Sequence, residues 1–153
     1  MVILLDANIF VRLANRADAQ RDVTLEALSI LHAGGHHTAI VPQVLYEYWV
    51  VATRPLTHNG LGMLPADVTV DLAEFRLDHL FLDDEPEICE IWQGLVTAYE
   101  VVGKRAHDAR LVAAMVRHDI THLLTFNEQD FARFSEIVVI APSAAGAFPP
   151  AGA

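Results

Sequence analysis

The sequence predicts an α/β fold, a three-layer α/β/α sandwich with a mainly parallel central sheet, on two observations. Short, continuous apolar runs, such as residues 2–5 and 137–140, suit strands that are buried on both faces. The segments between these runs are longer, and their apolar residues recur with a helical period. Strands that alternate with helices along a chain form a parallel sheet with helices packed on its faces.

Each element follows from its local pattern. Apolar runs predict strands at residues 2–5, 38–41, 80–82, 121–125 and 137–140. Helical periodicity predicts helices at residues 9–16, 19–32, 42–53, 66–79 and 86–100, and a further helix from residue 107. Two helix starts carry a specific signal: Asp18 is a suitable N-cap for the second helix, and Pro42 favours the first position of the third.

The chain is expected to form one domain. Residues 1–140 contain every predicted strand and helix, whereas residues 141–153 are small residues, prolines, glycines and one phenylalanine, and are predicted to form a flexible tail. Residues 55–65 form a loop rich in glycine, proline and asparagine. Because long loops in compact domains are often functional, we interpret this loop as the rim or lid of a site.

Composition limits the possible partners. No apolar run approaches the roughly 18 residues that a membrane span needs, so the hydrophobic content of 53% favours a protein partner. The apolar residues of the first two helices exceed what one face of a sheet can cover, which predicts a homodimer; they are Ile9, Phe10, Leu13, Leu28 and Leu31. Cys89 is the one cysteine, which excludes an internal disulfide and favours a cytoplasmic protein, and it is expected in the core.

The net charge of −10 is unfavourable for a protein that binds nucleic acid. Such proteins hold polynucleotides largely through lysine and arginine contacts with phosphate groups. Either the partner is basic, or any work on nucleic acid depends on cations inside an acidic pocket.

Three carboxylates occupy positions that are expected to face one cleft. Asp6 follows the first strand, and ligands of open α/β sheets bind at the carboxyl ends of the strands. Glu47 shares a helix face with apolar residues, and Asp108 lies in line with the buried stripe of a later helix. Such clusters bind one or two divalent cations through oxygen ligands. Each acid also has a structural explanation: Asp6 as a helix cap, Glu47 in an ion pair with Arg54, and Asp108 as a charge at a helix N-terminus.

In the order LLDAN, VPQVLYEYW, HDARLVAAM and LLTFNEQDF, the chain resembles the PIN-domain nucleases, and among them the VapC-type toxins of bacterial toxin–antitoxin pairs. The resemblance extends from Val2 to Ile140. It implies a PIN-like fold in which Asp6, Glu47 and Asp108 hold Mg²⁺ or Mn²⁺. It also implies an endoribonuclease that cleaves RNA by metal-activated water, and a small antitoxin protein as partner.

The fourth motif departs from the family pattern. Many members carry an aspartate where this chain has Asn127, and Asn127 can act through its amide oxygen or bind a phosphate but adds no charge. Asp130 either compensates as a further catalytic carboxylate or only caps the following turn. On the same resemblance Asn8, Thr125 and Asn127 are assigned to substrate binding.

Two other functions remain compatible with the sequence. One is a PIN-like module that binds RNA or protein but has lost activity, which the neutral Asn127 would explain. The other is a phosphotransfer enzyme with Asp6 as nucleophile, a class that typically has a second aspartate where Asn8 stands.

Overall fold

Five parallel strands form one sheet in the computed structural model, which describes residues 1–152. The strands are β1 (Val2–Leu5), β2 (His37–Ile40), β3 (Leu80–Phe81), β4 (His122–Leu124) and β5 (Val138–Ile140). Their order across the sheet is β3-β2-β1-β4-β5, and every neighbouring pair is parallel. The prediction of a mainly parallel central sheet is confirmed.

Helices connect the strands and cover the sheet. They are α1 (Ala7–Ala14), α2 (Arg21–Ala33), α3 (Pro42–Thr53), α4 (Pro65–Asp78), α5 (Glu87–Ala98), α6 (Ala106–Arg117) and α7 (Glu128–Phe131). Short 3₁₀ turns lie at Leu56–His58, Gly103–Arg105 and Pro142–Ala147. In β1, Ile3, Leu4 and Leu5 are fully buried. The central strand is therefore covered on both faces, as the three-layer α/β/α architecture requires.

The chain order of the strands reverses between β1 and β4. The first three strands succeed one another toward one edge, and the chain then returns so that β4 and β5 extend the sheet on the other side of β1. Leu5 pairs with Leu124, so Asp6 and Thr125 follow at adjoining carboxyl ends. Open α/β sheets leave a crevice for ligands at such a switch point. The fold thus places the first predicted acid where a ligand would bind.

The start of α2 differs from its prediction. The helix begins at Arg21 rather than residue 19, and Gln20 occupies the N-cap position. Asp18 accepts a hydrogen bond from the Gln20 backbone N–H at 2.8 Å and forms an ion pair with Arg12 at 2.7 Å. Because these contacts engage the Asp18 carboxylate before the helix begins, the prediction of Asp18 as N-cap is wrong.

Residues after β5 also differ from the expectation of a flexible tail. Residues 142–147 form a 3₁₀ turn that packs against α2, and Pro142 and Ala145 are buried. Farther along, the Phe148 ring lies 5.0 Å from the His36 ring, and the Ala151 N–H donates to the Gly34 carbonyl at 2.8 Å. Small residues and prolines pack closely against a helix without producing any periodic signal, which is why the sequence pattern did not indicate this segment.

The apolar residues expected at a homodimer interface lie mainly inside the chain. Ile9, Phe10 and Leu31 are at most 1% exposed. Leu13 and Leu28 are partly buried and pack against the same core. These side chains are already covered by the chain's own elements, so they do not argue for a dimer.

Two further expectations concern the surface. Cys89 is exposed on α5, so its assignment to the core is wrong. The apolar stripe of α5 instead buries Ile88 and Leu95. Within residues 1–152, none of the helices combines the length and the apolar character needed to cross a membrane.

Candidate active site

Asp6 and Thr125 meet at the carboxyl ends of the two central strands. The Asp6 backbone N–H donates to the Leu124 carbonyl at 3.1 Å, which extends the β1–β4 pairing by one residue. The Thr125 hydroxyl donates to Asp6 Oδ2 at 2.6 Å. Asp6 is also the N-cap of α1, because its Oδ1 accepts the Ala7 backbone N–H at 2.7 Å. Asp6 therefore caps α1, as one of its two explanations from sequence requires.

Asn8 completes a polar network around Asp6. Its side-chain amide donates to Asp6 Oδ2 at 2.9 Å and to the Thr125 hydroxyl at 3.0 Å. The same hydroxyl accepts the Asn127 backbone N–H at 3.0 Å. Thr125 is fully buried, and its donor and both acceptor positions are engaged. Thr125, assigned to substrate binding from sequence, is thereby inaccessible, and its contacts orient Asp6 instead.

The Glu47 carboxylate is held by a residue of the same helix that the sequence did not predict. Gln43, one turn earlier on α3, donates to Glu47 Oε1 at 2.8 Å and to the His107 carbonyl of α6 at 2.8 Å. Its amide oxygen accepts a hydrogen bond from Arg110 at 3.1 Å. Gln43 is buried, so it fixes α3 to α6 and orients the Glu47 carboxylate. The ion pair of Glu47 with Arg54, considered from sequence, does not form among residues 1–152.

Asp108 lies in the first turn of α6, as predicted, and faces Arg105. The Arg105 guanidinium lies 3.5 Å from Asp108 Oδ2 and also forms an ion pair with Asp130 of α7. Asp130 is therefore connected to the acidic cluster through Arg105. It does not line the cavity beside Asp6.

A cavity of about 330 Å³ opens beside Asp6, and we name it the Asp6 cavity. Its polar lining comprises Asp6, Asn8, Arg12, Glu47, Asn59 and Asn127. The first, second and fourth sequence motifs each supply at least one of these residues. Asp108 does not line this cavity and acts on it through its charge.

Asn59 reaches the cavity because the 55–65 loop folds back onto the end of α3. The Gly62 N–H donates to the Arg54 carbonyl at 2.8 Å. A Cβ on Gly60 would lie 1.9 Å from the Arg54 carbonyl oxygen, so this close approach requires glycine. Asn59 itself has a positive φ of 59°, a conformation that asparagine tolerates better than most residues. Through Asn59 the loop contributes to the rim of the cavity, in line with its interpretation from sequence as a rim or lid.

The carboxylates raise one another's pKa. Burial raises the pKa of Asp6 to about 6 despite the hydrogen bond from Thr125, and the negative charges of Glu47 and Asp108 contribute to the rise. Burial and the charge of Asp108 raise the pKa of Glu47. Burial and the charge of Asp130 raise the pKa of Asp108. The cluster thus carries repulsion that a cation would relieve.

The donor chemistry of the cluster suits a hard cation, because carboxylate and amide oxygens are the ligands that Mg²⁺ and Mn²⁺ prefer. As the side chains stand, however, no three His, Cys, Asp or Glu residues among residues 1–152 are grouped closely enough to hold a metal ion. Asp108 is the carboxylate that stands apart, since it does not line the Asp6 cavity and one of its oxygens lies 3.5 Å from the Arg105 guanidinium.

Sequence motifs and structure agree on part of this site. Asp6, Glu47, Asn8 and Asn127 share one cavity. The motifs did not indicate Asn59 or Gln43, or the contact of Arg105 with Asp108 and Asp130, because these depend on packing between distant elements. A buried glutamine one turn before a helical glutamate was the available signal for Gln43, since a buried amide needs partners.

Comparisons with known proteins point to one family. A family model described as PIN domain matches residues 3–137. None of the curated proteins matches the chain by sequence.

Several solved structures share the fold. VapBC2 from Rickettsia felis, solved with a DNA fragment from the promoter, aligns with a TM-score of 0.67 at 19% identity and covers 92% of this chain and 98% of that one. VapBC-1 from nontypeable Haemophilus influenzae aligns with a TM-score of 0.67 at 15% identity, covering 94% and 99%. VapC20 from Mycobacterium tuberculosis, described as a sarcin-ricin loop cleaving toxin, aligns with a TM-score of 0.64 at 20% identity, covering 88% and 98%.

Proposed function

Because the chain belongs to the PIN-domain family, we propose that it is a divalent-metal-dependent endoribonuclease and the toxin of a toxin–antitoxin pair. The observation that carries this proposal is the position of Asp6. It lies at the switch point of the sheet, lines a cavity with Glu47 and Asn127, and carries a pKa raised by burial and by the charges of Glu47 and Asp108. Buried carboxylates that repel one another are costly to a fold unless a cation offsets them.

Asp6, Glu47 and Asp108 are the residues that would hold Mg²⁺ or Mn²⁺. The ion, when bound, supplies the positive charge that activates water and stabilises the phosphate in hydrolysis. The chain's own part is to position the ligands. Thr125 and Asn8 hold the Asp6 carboxylate in one orientation. Ligands that are already oriented lower the entropic cost of binding the ion and the RNA.

The RNA backbone would approach through the Asp6 cavity. Asn127 is exposed at its wall and offers an amide to a phosphate oxygen. Arg12 lines the same cavity, with its guanidinium paired to Asp18. The net charge of −10 is compatible with this role, because a cation bound among the carboxylates would offset most of their charge and attract a phosphate directly. VapC20, which shares the fold, is described as a sarcin-ricin loop cleaving toxin.

A small antitoxin protein is the proposed partner, since VapBC structures share the fold over nearly the whole chain. A homodimer is also proposed, with its interface moved from α1 and α2 to α4. On α4 the residues Val70 and Leu77 are 57% and 85% exposed and lie two turns apart on one face. Two exposed apolar side chains on one helix face are compatible with association with another protein surface.

The test is RNA cleavage by the purified chain with Mg²⁺ or Mn²⁺, with and without EDTA. Asp6→Ala should lower cleavage by orders of magnitude, because the rigid metal ligand is lost. Asn127→Ala should cost only about 1–3 kcal/mol, the worth of a neutral contact. Asp22→Ala, which changes an exposed acid on α2, is the matched control and should leave cleavage unchanged.

Cleavage that survives both EDTA and Asp6→Ala would contradict the proposal. Tight binding of RNA or of an antitoxin without any cleavage would favour the inactive PIN-like binding module.

A further inference from the structure

Arg110 of α6 lies between two acceptors that come from other elements. Its Nη1 donates to the amide oxygen of Gln43 on α3 at 3.1 Å. Its Nη2 donates at 3.0 Å to Oδ2 of Asp84, which belongs to the loop between β3 and α5. A guanidinium carries its donors in a planar fork and can therefore hold two acceptors at once. Arg110 thus ties the amide of Gln43 to a fixed point outside the site.

The contact with Arg110 completes the hydrogen bonds of a buried amide. Gln43 is 6% exposed, and its amide nitrogen donates to Glu47 Oε1 and to the His107 carbonyl, both at 2.8 Å. Among residues 1–152, Arg110 is the residue that donates to the amide oxygen. Without Arg110 that oxygen would lie buried and without a donor, which is costly. Gln43 would then have a reason to move, and its contact with Glu47 would weaken.

The three contacts of the Gln43 amide also require one orientation. If the amide were reversed, its oxygen would face the Glu47 carboxylate and the His107 carbonyl, and its N–H groups would face a cation. Donation by Arg110 to the amide oxygen also polarises the amide, which strengthens the hydrogen bonds that its N–H groups make. Arg110 therefore supports the hydrogen bond from Gln43 to Glu47 without contacting Glu47.

The charge balance at Glu47 agrees with this geometry. Burial raises the pKa of Glu47, whereas the hydrogen bond from Gln43 and the charge of Arg110 act in the opposite direction. Both residues thus favour the ionised carboxylate that a metal ion needs. Among residues 1–152, Arg110 forms its hydrogen bonds and its ion pair with Gln43 and Asp84 rather than with the carboxylates of the cluster. Its effect on the orientation of Glu47 therefore passes through Gln43.

We propose that Arg110 is a positioning residue, which acts through Gln43 to hold the Glu47 carboxylate in place as a metal ligand. The proposal rests on the proposed metal-dependent function and adds a residue that lies outside the Asp6 cavity. It separates two effects of Arg110 that have opposite signs. As a cation near the acidic cluster, Arg110 repels a divalent ion, so its charge alone predicts tighter metal binding when it is removed. As a positioning residue, its removal weakens metal binding.

The first measurement is made in EDTA and requires no metal. NMR follows the exchange of the Gln43 side-chain amide protons with water, which is slow in the wild-type chain because these donors are bonded in a buried site. Arg110→Met keeps most of the stem but removes the donors, and should speed this exchange about two- to ten-fold, the scale of one hydrogen bond. Arg117→Met is the matched control. Arg117 lies two turns later on α6 and pairs with Glu85, and its substitution should leave the exchange unchanged.

The second measurement is Mn²⁺ affinity by calorimetric titration. Arg110→Met should weaken binding about two- to ten-fold, whereas Arg117→Met, with the same change in net charge, should not weaken it. Gln43→Leu should weaken binding about 10-fold, as expected for loss of a residue that orients a metal ligand. In the Gln43→Leu background Arg110→Met should have no further weakening effect, because the residue through which it acts is gone. Matching thermal unfolding of the variants is expected and confirms that they are folded.

Tighter Mn²⁺ binding in Arg110→Met would overturn the proposal and leave Arg110 as a charge beside the cluster. Unchanged exchange of the Gln43 amide protons in Arg110→Met would overturn it as well, and this result stands even if Gln43→Leu does not fold. If either result is found while the wild-type chain cleaves RNA with Mn²⁺ and Asp6→Ala does not, the positioning role fails and the ribonuclease function stands. If the wild-type chain neither binds Mn²⁺ nor cleaves RNA, both fail.

Discussion

The Thr125 hydroxyl donates a 2.6 Å hydrogen bond to Asp6 Oδ2 across a sequence separation of 119 residues. The bond is possible because β1 and β4 are neighbours in the sheet, with Leu5 opposite Leu124. It favours the ionised form of Asp6, whereas burial favours the protonated form and has the larger effect. The balance between the two determines how readily Asp6 can offer a charged ligand near neutral pH.

Thr125→Val should therefore raise the pKa of Asp6 above its value of about 6. Valine keeps the volume and removes the hydroxyl, so the variant should lose about 1–3 kcal/mol of stability. Protons compete with metal for carboxylates, so the pH below which Mn²⁺ binding weakens should move upward. Calorimetric titration with Mn²⁺ across pH measures this, with Thr125→Ser as the control that keeps the hydroxyl. An unmoved pH profile in Thr125→Val would contradict the role given to this bond.

The raised pKa of Asp6 should also make the metal-free chain less stable as pH rises. The folded chain binds the Asp6 proton more tightly than the unfolded chain does, because the pKa is about 6 when folded and near 3.8 when unfolded. The free energy of unfolding therefore falls as pH rises through this window, and the loss is complete above it.

Asp6→Asn, which has no proton to lose, should show a smaller decrease than wild type between about pH 4.5 and about pH 7.5, by on the order of 2 kcal/mol. Urea unfolding in EDTA at the two pH values measures the difference. Adding Mg²⁺ at the higher pH should stabilise wild type but not the variant. A parallel pH dependence in both proteins would mean that Asp6 is not the group responsible.

The sequence was sufficient to predict the fold and the position of Asp6, because buried parallel strands are continuous apolar runs and their ends carry the ligands. It could not predict the partners of Gln43 and Arg105. Gln43 contacts His107 across 64 positions, and Arg105 contacts Asp130 of another helix. These pairs depend on how helices pack, which no local pattern encodes. The segment after β5 was missed for a similar reason, since its packing depends on the shape of α2.

The packing of that final segment should contribute measurably to stability. Phe148 lies between the rings of His36 and His122, at centroid distances of 5.0 and 5.2 Å, and His36 also contacts the Pro149 carbonyl at 3.0 Å. Phe148→Ala should lower the free energy of unfolding by about 1–3 kcal/mol, as expected for a partly buried aromatic side chain. Ser143→Ala changes an exposed residue of the same segment and should have little effect. In urea unfolding, a free energy for Phe148→Ala equal to that of Ser143→Ala would contradict the contribution assigned to Phe148.

Arg105 should compete with a divalent cation for Asp108. Its guanidinium contacts Asp108 and forms an ion pair with Asp130, so a metal ion that uses Asp108 must displace it. Arg105→Gln should therefore tighten Mn²⁺ binding about two- to five-fold, the scale of a partly exposed ion pair. Asp130→Asn removes the second partner of Arg105, leaves the guanidinium to Asp108, and should weaken Mn²⁺ binding. Calorimetric titration of both variants at low salt is the measurement.

The control is Arg133→Gln, an exposed arginine two residues after α7 whose loss changes the net charge equally. If Arg133→Gln tightens binding as much as Arg105→Gln, net charge explains the effect. If Arg105→Gln weakens binding, Arg105 orients Asp108 for the metal rather than competing with it.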